Sequence, residues 1–269
     1  MSILDKILAK KREEIAELEQ RFAAVAAPLG MVHRVDPTLE SLAPRDFAAA
    51  LRRPSGAPVR VLAEVKRASP SAGPIRPGAD PVEVAREYAA AGAAAISVLT
   101  DQTFFDGHVR YLMPCRAAAG VPVLRKDFLI EPIQLYEARA NGADAVLLIA
   151  AALTPLQLQG MMRVSREYGF EPLVEVHSMA EAEIVLSSPV PPAVLGVNHR
   201  DLHTFAIDMT LTEQIARRVA PEVVLVAESG IKTRDDVRRM GDAGAHAVLV
   251  GEHLMRAPSP GAALRELVG

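Results

Sequence analysis

Apolar and charged positions alternate with a helical period at the start of the chain. The apolar positions are Ile3, Leu4, Ile7, Leu8, Ile15 and Leu18, and Lys, Arg and Glu lie between them. This spacing predicts an amphipathic helix with one buried face. Such a helix could form a coiled coil or bind a partner, but packing on its own domain is the simpler interpretation. A segment containing Pro and Gly, from Pro28 to Pro58, then leads into the first strand.

Beyond that segment, short β-branched runs alternate with longer helical segments. Eight runs predict strands, namely Val61–Val65, Ala95–Leu99, Pro122–Arg125, Ala145–Ile149, Pro172–Val176, Val194–Val197, Val223–Ala227 and Ala247–Val250. The segments between them are rich in Ala, Leu and charged residues, as in PVEVAREYAAAG and PLQLQGMMRVSREYG. Strands that alternate with helices in this way predict a parallel sheet.

A weak internal repeat supports the same organisation. AGAAAISV, NGADAVLL and AGAHAVLV each join a glycine at a helix C-terminus to a strand. Eight strands at these intervals, without a GxGxxG motif, predict an α/β fold of the (β/α)8 TIM-barrel class. We expect a single domain over residues 1–269, with an N-terminal helical extension over 1–58 and the barrel over 59–269. A doubly wound open sheet is the alternative.

Composition narrows the class of protein. Of the 269 residues 50% are hydrophobic, which suffices for a large core, and the net charge of −3 favours neither nucleic acid nor an anionic membrane as partner. The single cysteine excludes an internal disulfide framework and a cysteine-based zinc site. The charged N-terminal residues are unlike a signal peptide, and no apolar run approaches the ~18 residues of a membrane span. We therefore expect a soluble, cytoplasmic protein.

Polar and ionisable side chains stand where the predicted strands end. They are Glu64 and Lys66, Lys126 and Asp127, Glu175, Asn198 and Arg200, and Glu228. The C-terminal strand ends of a TIM barrel form its active site, so these residues indicate catalysis. Side chains two apart in a strand point the same way, which predicts three same-side pairs, Glu64–Lys66, Lys126–Phe128 and Asn198–Arg200. Ion pairs that only stabilise the rim of the barrel are the alternative.

Two glycine motifs follow the last two predicted strands. ESGI spans Glu228–Ile231 and VGEHLMR spans Val250–Arg256. Barrels commonly bind phosphate in these two loops through backbone N–H groups, so Gly230, Gly251 and the amide of Glu252 predict a phosphate site. The carboxylate of Glu252 must then point away from the anion. Glycines that serve only as turn residues are the alternative.

Several other side chains have simpler interpretations than a site. His199 and His203 are four residues apart, but NHRDLHTF lacks a helical pattern, so we expect no metal site there. His177 follows the predicted strand end at Glu175 and is interpreted as a loop residue. Met161 and Met162 lie in a helical segment and are interpreted as core residues.

Nine motifs follow one another along nearly the whole chain. They are ILDKI, EVKRASPS, SVLTDQTFFDG, PVLRKDF, GADAVLLI, EPLVEVH, GVNHRDL, VAESGI and VLVGEHLMR. As a set they resemble the indole-3-glycerol phosphate synthase family of tryptophan biosynthesis, in its monofunctional form. The resemblance implies ring closure of 1-(2-carboxyphenylamino)-1-deoxyribulose 5-phosphate, a phosphorylated small molecule, with loss of CO2 and water and without a cofactor or metal.

The resemblance also implies roles for individual residues. Catalytic roles fall on Glu64, Lys66, Lys126, Glu175, Asn198 and Glu228. The implied substrate-binding residues are Ser69, Pro70 and Ser71 of a mobile loop, Arg200 and Ser229, and Phe105, Phe128, Leu147 and Leu202 around the anthranilate ring. Core packing is the alternative for these last four. The expected phosphate-binding residues remain Gly230, Gly251 and Glu252.

The chemistry of ring closure is consistent with these roles. Lys126 would be the general acid that protonates the substrate ketone, and a dry pocket with Lys66 nearby would lower its pKa toward the working range. Lys66 and Glu175 are the candidates for the later dehydration. Glu64 and Asn198 would hold hydroxyls and lysines in place.

Two residues next to each other differ in their expected relation to the substrate. Arg200 can bind the aryl carboxylate through two parallel N–H donors until CO2 leaves. His199 departs from the family pattern, in which we expect Asn or Ser at this position. Its side chain should point away from the pocket by alternation, so the change leaves the chemistry intact.

Three other functions remain open at this point. Phosphoribosylanthranilate isomerase chemistry asks for a cysteine and aspartate pair at strand ends, but Cys115 lies in a helical segment. A Schiff-base aldolase could use Lys66 or Lys126. A catalytically silent barrel could bind a phosphorylated ligand and use its N-terminal helix for a partner. For any of these functions we expect a monomer or a weak homodimer.

Overall fold

The computed structural model describes residues 2–23, 43–202 and 204–268 of the chain. Residues 28–42 of the segment that leads into the first strand, and His203, lie outside the described residues. The rest of that segment contains a short helix, Phe47–Leu51, whose first turn is capped by the Asp46 side chain.

Eight parallel strands close into a barrel. They are β1 (Arg60–Val65), β4 (Ala95–Leu99), β5 (Val123–Lys126), β6 (Ala145–Ile149), β7 (Leu173–Val176), β8 (Val194–Asn198), β9 (Val224–Glu228) and β10 (Ala247–Val250). β1 pairs with both β4 and β10, which closes the sheet. The predicted TIM barrel is therefore confirmed, with every strand within one residue of its predicted bounds, and the open sheet is wrong. A small antiparallel hairpin, β2 (Ala68–Ser69) and β3 (Gly73–Pro74), follows β1.

Helices precede the barrel and connect its strands. They are α1 (Ile3–Ala23), α2 (Phe47–Leu51), α3 (Pro81–Ala90), α4 (Gln102–Phe105), α5 (Leu112–Ala119), α6 (Pro132–Ala140), α7 (Pro155–Glu167), α8 (Met179–Leu186), α9 (Thr210–Ala216), α10 (Arg234–Asp242), α11 (Glu252–Arg256) and α12 (Pro260–Val268), with 3₁₀ turns at Val109–Tyr111 and Ala150–Ala152. Proline in the first turn and a side-chain cap before it start several of them, as at Asp80 and Thr154. Among the described residues, no helix has the length and apolar character that a membrane crossing requires.

Two apolar layers place the polar residues of the strands. The larger core lies between the sheet and the surrounding helices, and it contains Met161 and Met162 as predicted. A second cluster fills the barrel interior with residues such as Leu62, Leu124 and Leu173. Because strand side chains alternate, the residues that continue the inward direction at the C-terminal ends are the polar ones. The barrel interior is thus apolar toward the N-terminal ends of the strands and charged at their C-terminal ends.

The N-terminal helix α1 packs on its own barrel, as the simpler interpretation predicted. Ile15 and Leu18 are buried against Ile133 of α6. Ile7 is buried as well, and it lines the cavity at the barrel mouth. The apolar face of α1 is therefore covered by the domain to which it is attached.

Candidate active site

A cavity of about 780 Å³ opens at the C-terminal ends of the barrel strands. It is lined by every residue to which the sequence assigned a catalytic, substrate-binding or phosphate-binding role. These residues come from six of the eight strands, from segments that follow the barrel strands and from the β2–β3 hairpin. The fold thus brings together side chains that are far apart in sequence.

Lys126 lies between two carboxylates at the centre of the cavity. Its Nζ donates to Glu175 Oε2 at 2.6 Å and to Glu228 Oε2 at 2.8 Å. Burial lowers the pKa of Lys126, but the two carboxylates outweigh it and hold the pKa above its ordinary value. The prediction of a lowered pKa is therefore wrong, because the sequence did not reveal that two glutamates from distant strands meet at this amine. Lys66, the expected cationic neighbour, pairs instead with Glu64.

The two carboxyl groups around Lys126 have pKa values that are shifted in opposite directions. Burial raises the pKa of Glu228 to about 8, aided by repulsion from Glu175 and opposed by Lys126. Burial also acts on Glu175, but Lys126 and His177 outweigh it and lower its pKa well below the usual range. Two neighbouring carboxyl groups in a dry site do not both ionise readily, so the pair titrates as a unit and the negative charge is favoured on Glu175.

Glu228 is held in place by a close approach of backbone. Its Oε1 lies over Gly196, where a Cβ atom would overlap it. That oxygen is buried and has no hydrogen-bond partner among the described residues. A glycine in β8 therefore creates the space that the carboxyl group of β9 occupies.

His177 belongs to the site, although sequence reasoning treated it only as a loop residue. It does lie in the loop after β7, but its side chain is only 5% exposed and lines the cavity. Its Nε2 lies 3.2 Å from Glu175 Oε1, and its Nδ1 lies 3.6 Å from Glu181 Oε2. Burial lowers the pKa of His177, but the two glutamates outweigh it and raise the pKa to about 9. The alternation that placed Glu175 inward could also have identified His177, two residues later.

The predicted pair at the end of β1 is present. Lys66 Nζ lies 2.8 Å from Glu64 Oε1. Gly251 makes room for this glutamate, because a Cβ there would overlap Glu64 Oε1. Ser69 and Ser71 follow in the hairpin, where Ser69 Oγ accepts a hydrogen bond from the Ala72 amide at 3.2 Å.

A second polar group joins the ends of β8 and β9. Ser229 Oγ donates to Asn198 Oδ1 at 2.8 Å, and the Arg200 amide donates to the same oxygen at 3.1 Å. Ser229 has a φ of 68°, a left-handed conformation that is uncommon outside glycine. His199 turns the other way, as predicted, and bonds Ser229 O and Thr212 Oγ1 at 2.8 and 2.7 Å.

The phosphate-binding motifs lie at one end of the cavity. Gly230 has a φ of 83°, and Gly251 is the N-cap residue of helix α11. Arg256 Nε donates to the Glu252 carboxylate at 2.9 Å. Arg256 therefore neutralises the carboxylate that was expected to point away from the phosphate. Sequence reasoning missed three basic residues that also line the cavity, Lys232, His253 and Arg256, although Lys232 directly follows ESGI and the other two lie within VGEHLMR.

An apolar wall lies at another side of the cavity. The Phe105 and Phe128 rings are 6.0 Å apart at their centroids and tilted by 38°. Leu147 is part of the barrel core and also lines the cavity, so its two proposed uses do not exclude each other. Sequence reasoning missed that α1 completes this cavity with Ile3, Leu4 and Ile7.

Two other site types were considered in the sequence. Within the described residues, no three His, Cys, Asp or Glu side chains are grouped as metal ligands would be. Cys115 is buried in helix α5 and does not line the cavity. The cysteine and aspartate pair of an isomerase site is therefore not formed with this residue.

Comparisons with known proteins agree with this geometry. The family model described as indole-3-glycerol phosphate synthase matches residues 4–267. Relatives with that name include proteins of Albidiferax ferrireducens, 47% identical over 98% of this chain and 97% of the relative, and of Geobacillus thermodenitrificans, 45% identical over 99% and 97%.

Solved structures of lower identity share the fold alone. A 3-hexulose-6-phosphate synthase structure has a TM-score of 0.60 at 13% identity, covering 77% of this chain and 97% of that one. A thiamine phosphate pyrophosphorylase from Pyrococcus furiosus has a TM-score of 0.58 at 18% identity, covering 78% and 93%. With the family match over nearly the full length and relatives above 40% identity, the chain belongs to the indole-3-glycerol phosphate synthase family.

Proposed function

We propose that this protein converts 1-(2-carboxyphenylamino)-1-deoxyribulose 5-phosphate to indole-3-glycerol phosphate, CO2 and water. The observation that carries the proposal is Lys126, held between Glu175 and Glu228 in a cavity that the Arg200 side chain and the two glycine motifs also line. The substrate has a ketone to protonate, a carboxylate to hold and a phosphate to anchor. The family match supports the same reaction.

The first steps follow from the positions of the charged groups. The phosphate would bind the amides at Gly230 and Gly251, beside the N-terminus of α11, while Arg200 binds the aryl carboxylate. Lys126 donates a proton to the ketone oxygen as the ring carbon that bears the carboxylate attacks the ketone carbon. The carboxylate then leaves as CO2, and its bonding electrons restore the aromatic ring. Phe105 and Phe128 would hold the substrate ring in the orientation from which this attack can occur.

Dehydration completes the reaction. The hydroxyl formed from the ketone must accept a proton and leave as water, and the adjacent carbon must lose a proton. Lys66 and Glu175 are the proposed acid and base for this step, and Glu64 would orient the Lys66 ammonium from 2.8 Å. Asn198, with Ser229 bonded to its oxygen, would hold a substrate hydroxyl.

Schiff-base chemistry is the rival use of the same lysine. An amine must be neutral to attack a carbonyl carbon, and the flanking carboxylates hold the pKa of Lys126 above its ordinary value. The charged amine suits an acid better than a nucleophile. Borohydride treatment during turnover should therefore leave the protein mass unchanged, whereas a trapped lysine adduct would favour an aldolase.

The deciding experiment is indole fluorescence after mixing of the purified protein with the anthranilate deoxyribulose phosphate in the presence of EDTA. A signal that grows with time, with equimolar CO2 release, supports metal-independent ring closure. Absence of product with intact ligand binding would contradict the proposal and favour the silent phosphate-binding barrel. The Lys126→Ala variant is the matched negative control, because it removes the amine and leaves the phosphate end untouched.

We further propose that the protein acts as a monomer or a weak homodimer in the cytoplasm. The support is that one chain supplies all the residues to which the reaction assigns a role. Light scattering across a concentration series should report a mass at or near one chain. A stable higher oligomer at low concentration would contradict it.

A further inference from the structure

A lysine of the N-terminal helix is buried among acidic groups outside the catalytic cluster. The Lys11 side chain is only 2% exposed. Its Nζ contacts Asp101 Oδ2 at 2.8 Å, Asp127 Oδ1 at 2.9 Å and Glu14 Oε2 at 2.7 Å. The Glu14 contact is a hydrogen bond, and the two aspartates are ion-pair partners of the same ammonium. A buried charge that has three carboxylates around it, two of them in barrel loops, indicates a fixed position for α1 on the barrel.

Asp101 connects this lysine to the first aromatic wall of the cavity. It follows β4 and caps helix α4, with Oδ1 accepting a hydrogen bond from the Phe104 amide at 2.7 Å. Helix α4 ends at Phe105, whose side chain lines the cavity. The second carboxylate oxygen of the fully buried Asp101 faces Lys11. The position of Phe105 therefore depends on a residue that Lys11 neutralises.

Asp127 connects the same lysine to the second aromatic wall. Its Oδ1 accepts a hydrogen bond from the Phe128 amide at 2.8 Å, and its Oδ2 accepts from Thr100 Oγ1 at 2.6 Å. Burial raises the pKa of Asp127, but Lys11 and Arg125 outweigh it and lower the pKa far below the usual range. Asp127 is thus a charged residue that links Lys11 to the loop that carries Phe128.

Helix α1 itself forms part of the same cavity. Ile7 lies one turn before Lys11 and Leu4 one turn before that, so the three share a helix face. Both apolar side chains line the cavity. One ammonium group consequently joins three separate parts of the apolar wall, namely α1, helix α4 and the loop after β5.

We propose that Lys11 is a positioning residue that fixes the apolar end of the cavity by tying α1 to the loops that carry Phe105 and Phe128. The identity of the ring that binds there rests on the proposed function. Lys11 does not contact Lys126, Glu175 or Glu228 in any hydrogen bond or ion pair of the described residues. Its loss should therefore weaken ring binding more than it slows the chemical step.

The primary test is a KM-against-kcat comparison of Lys11→Met with the wild-type protein. The substitution removes the charge but keeps an unbranched side chain. We expect KM to rise tenfold or more, kcat to fall less than threefold, and inhibition by inorganic phosphate to change less than twofold. Lys11→Arg, which keeps the charge, should restore KM to within about threefold of the wild-type value.

Lys10 offers a matched control on the same helix. Its side chain is 38% exposed and pairs only with the exposed Glu13 at 2.8 Å among the ion pairs of the described residues. Lys10→Met makes the same chemical change one residue away and should leave both KM and kcat unchanged. An equal rise in KM for Lys10→Met and Lys11→Met would overturn the proposal, as would an unchanged KM in Lys11→Met.

A second variant tests the connection from the barrel side and protects against a folding failure. Asp101→Asn keeps an oxygen to cap helix α4 but removes the charge that faces Lys11. This substitution should also raise KM. The double variant Lys11→Met with Asp101→Asn should have a KM no higher than that of the single variant with the larger increase. Additive effects on KM would contradict a shared connection.

Direct binding of anthranilate, measured by NMR titration, separates this proposal from the proposed reaction. It requires no turnover, so it remains informative if the wild-type protein fails to close the ring. Weaker anthranilate binding by Lys11→Met than by Lys10→Met supports the positioning role. Equal binding by the two variants and the wild-type protein would refute it.

Discussion

Gly196→Ala should disable the site without disturbing the barrel. Gly196 faces the barrel interior two residues before Asn198, and its φ is not in the left-handed region, so alanine meets no backbone penalty. The added Cβ would overlap Glu228 Oε1, which must move by roughly 1 Å to reach an ordinary contact distance. Lys126 is bonded to the other oxygen, Oε2, at 2.8 Å, and a shift of the whole carboxyl group by that distance would take this bond outside the hydrogen-bonding range.

A displacement of this size has a calculable consequence. Misplacement of a catalytic group by about 1 Å can lower the rate by about a hundredfold. We expect kcat/KM for ring closure, measured by indole fluorescence, to fall by about that factor. Thermal unfolding should change little, because the overlapping oxygen is the end of a side chain and Leu173 Cδ1, the next neighbour at 3.2 Å, needs to shift only slightly.

Gly160→Ala provides the matched control for this substitution. Gly160 lies exposed within helix α7, and a Cβ there would meet nothing within 4 Å. This variant should keep wild-type activity and gain up to about 1 kcal/mol in unfolding free energy. A folded Gly196→Ala protein with wild-type kcat/KM would show that catalysis does not depend on the contact between Glu228 and Lys126. The proposed role of the pair would then be refuted.

Three further results are expected. Lys126→Ala should lower kcat by about a hundredfold or more while the affinity for inorganic phosphate stays the same, and near-normal turnover would contradict its role as acid. Since the pKa of His177 is raised to about 9 from an ordinary 6.5, its contribution to stability is complete below pH 6.5 and is lost as the pH rises through 9. His177→Gln should therefore flatten the fall in unfolding free energy across that window, and identical slopes for both proteins would contradict the ion pairing. Burial raises the pKa of Cys115 to about 12, so a thiol reagent should label it only on unfolding, and rapid labelling of the native protein would be contrary evidence.

The local pattern of apolar and polar positions was enough to predict the barrel and the side chains at the C-terminal ends of its strands. Each strand is a short apolar run bounded by polar residues, so its limits could be read to within one residue. The period of two in a strand then assigned Glu64 and Lys66 to one side and sent His199 to the other. Both assignments hold, because neither depends on where any other strand lies. The division of the chain at residue 58 stays a prediction.

Properties that arise between distant strands could not be predicted in the same way. Glu175 and Glu228 lie 49 and 102 residues from Lys126, and their convergence reverses the expected direction of its pKa. Lys11 illustrates the same limit in α1. Its charge placed it on the expected polar face of an amphipathic helix, yet acidic groups of two barrel loops surround it. Burial of a charge depends on partners that sequence spacing does not reveal.

The raised pKa of Lys126 and its proposed role as an acid appear opposed only while Lys126 is considered alone. A higher pKa weakens an acid, but Glu228 Oε2 lies 2.8 Å from Lys126 Nζ, and burial raises the pKa of Glu228 to about 8. Lys126 and Glu175 form an oppositely charged pair at 2.6 Å, so the ammonium is compensated within the buried cluster. Glu228 lies on the other side of the amine, and burial shifts its pKa in the opposite direction from that of Glu175. The two glutamates therefore affect the lysine differently, since Glu175 stabilises its charge and Glu228 is the more easily protonated neighbour.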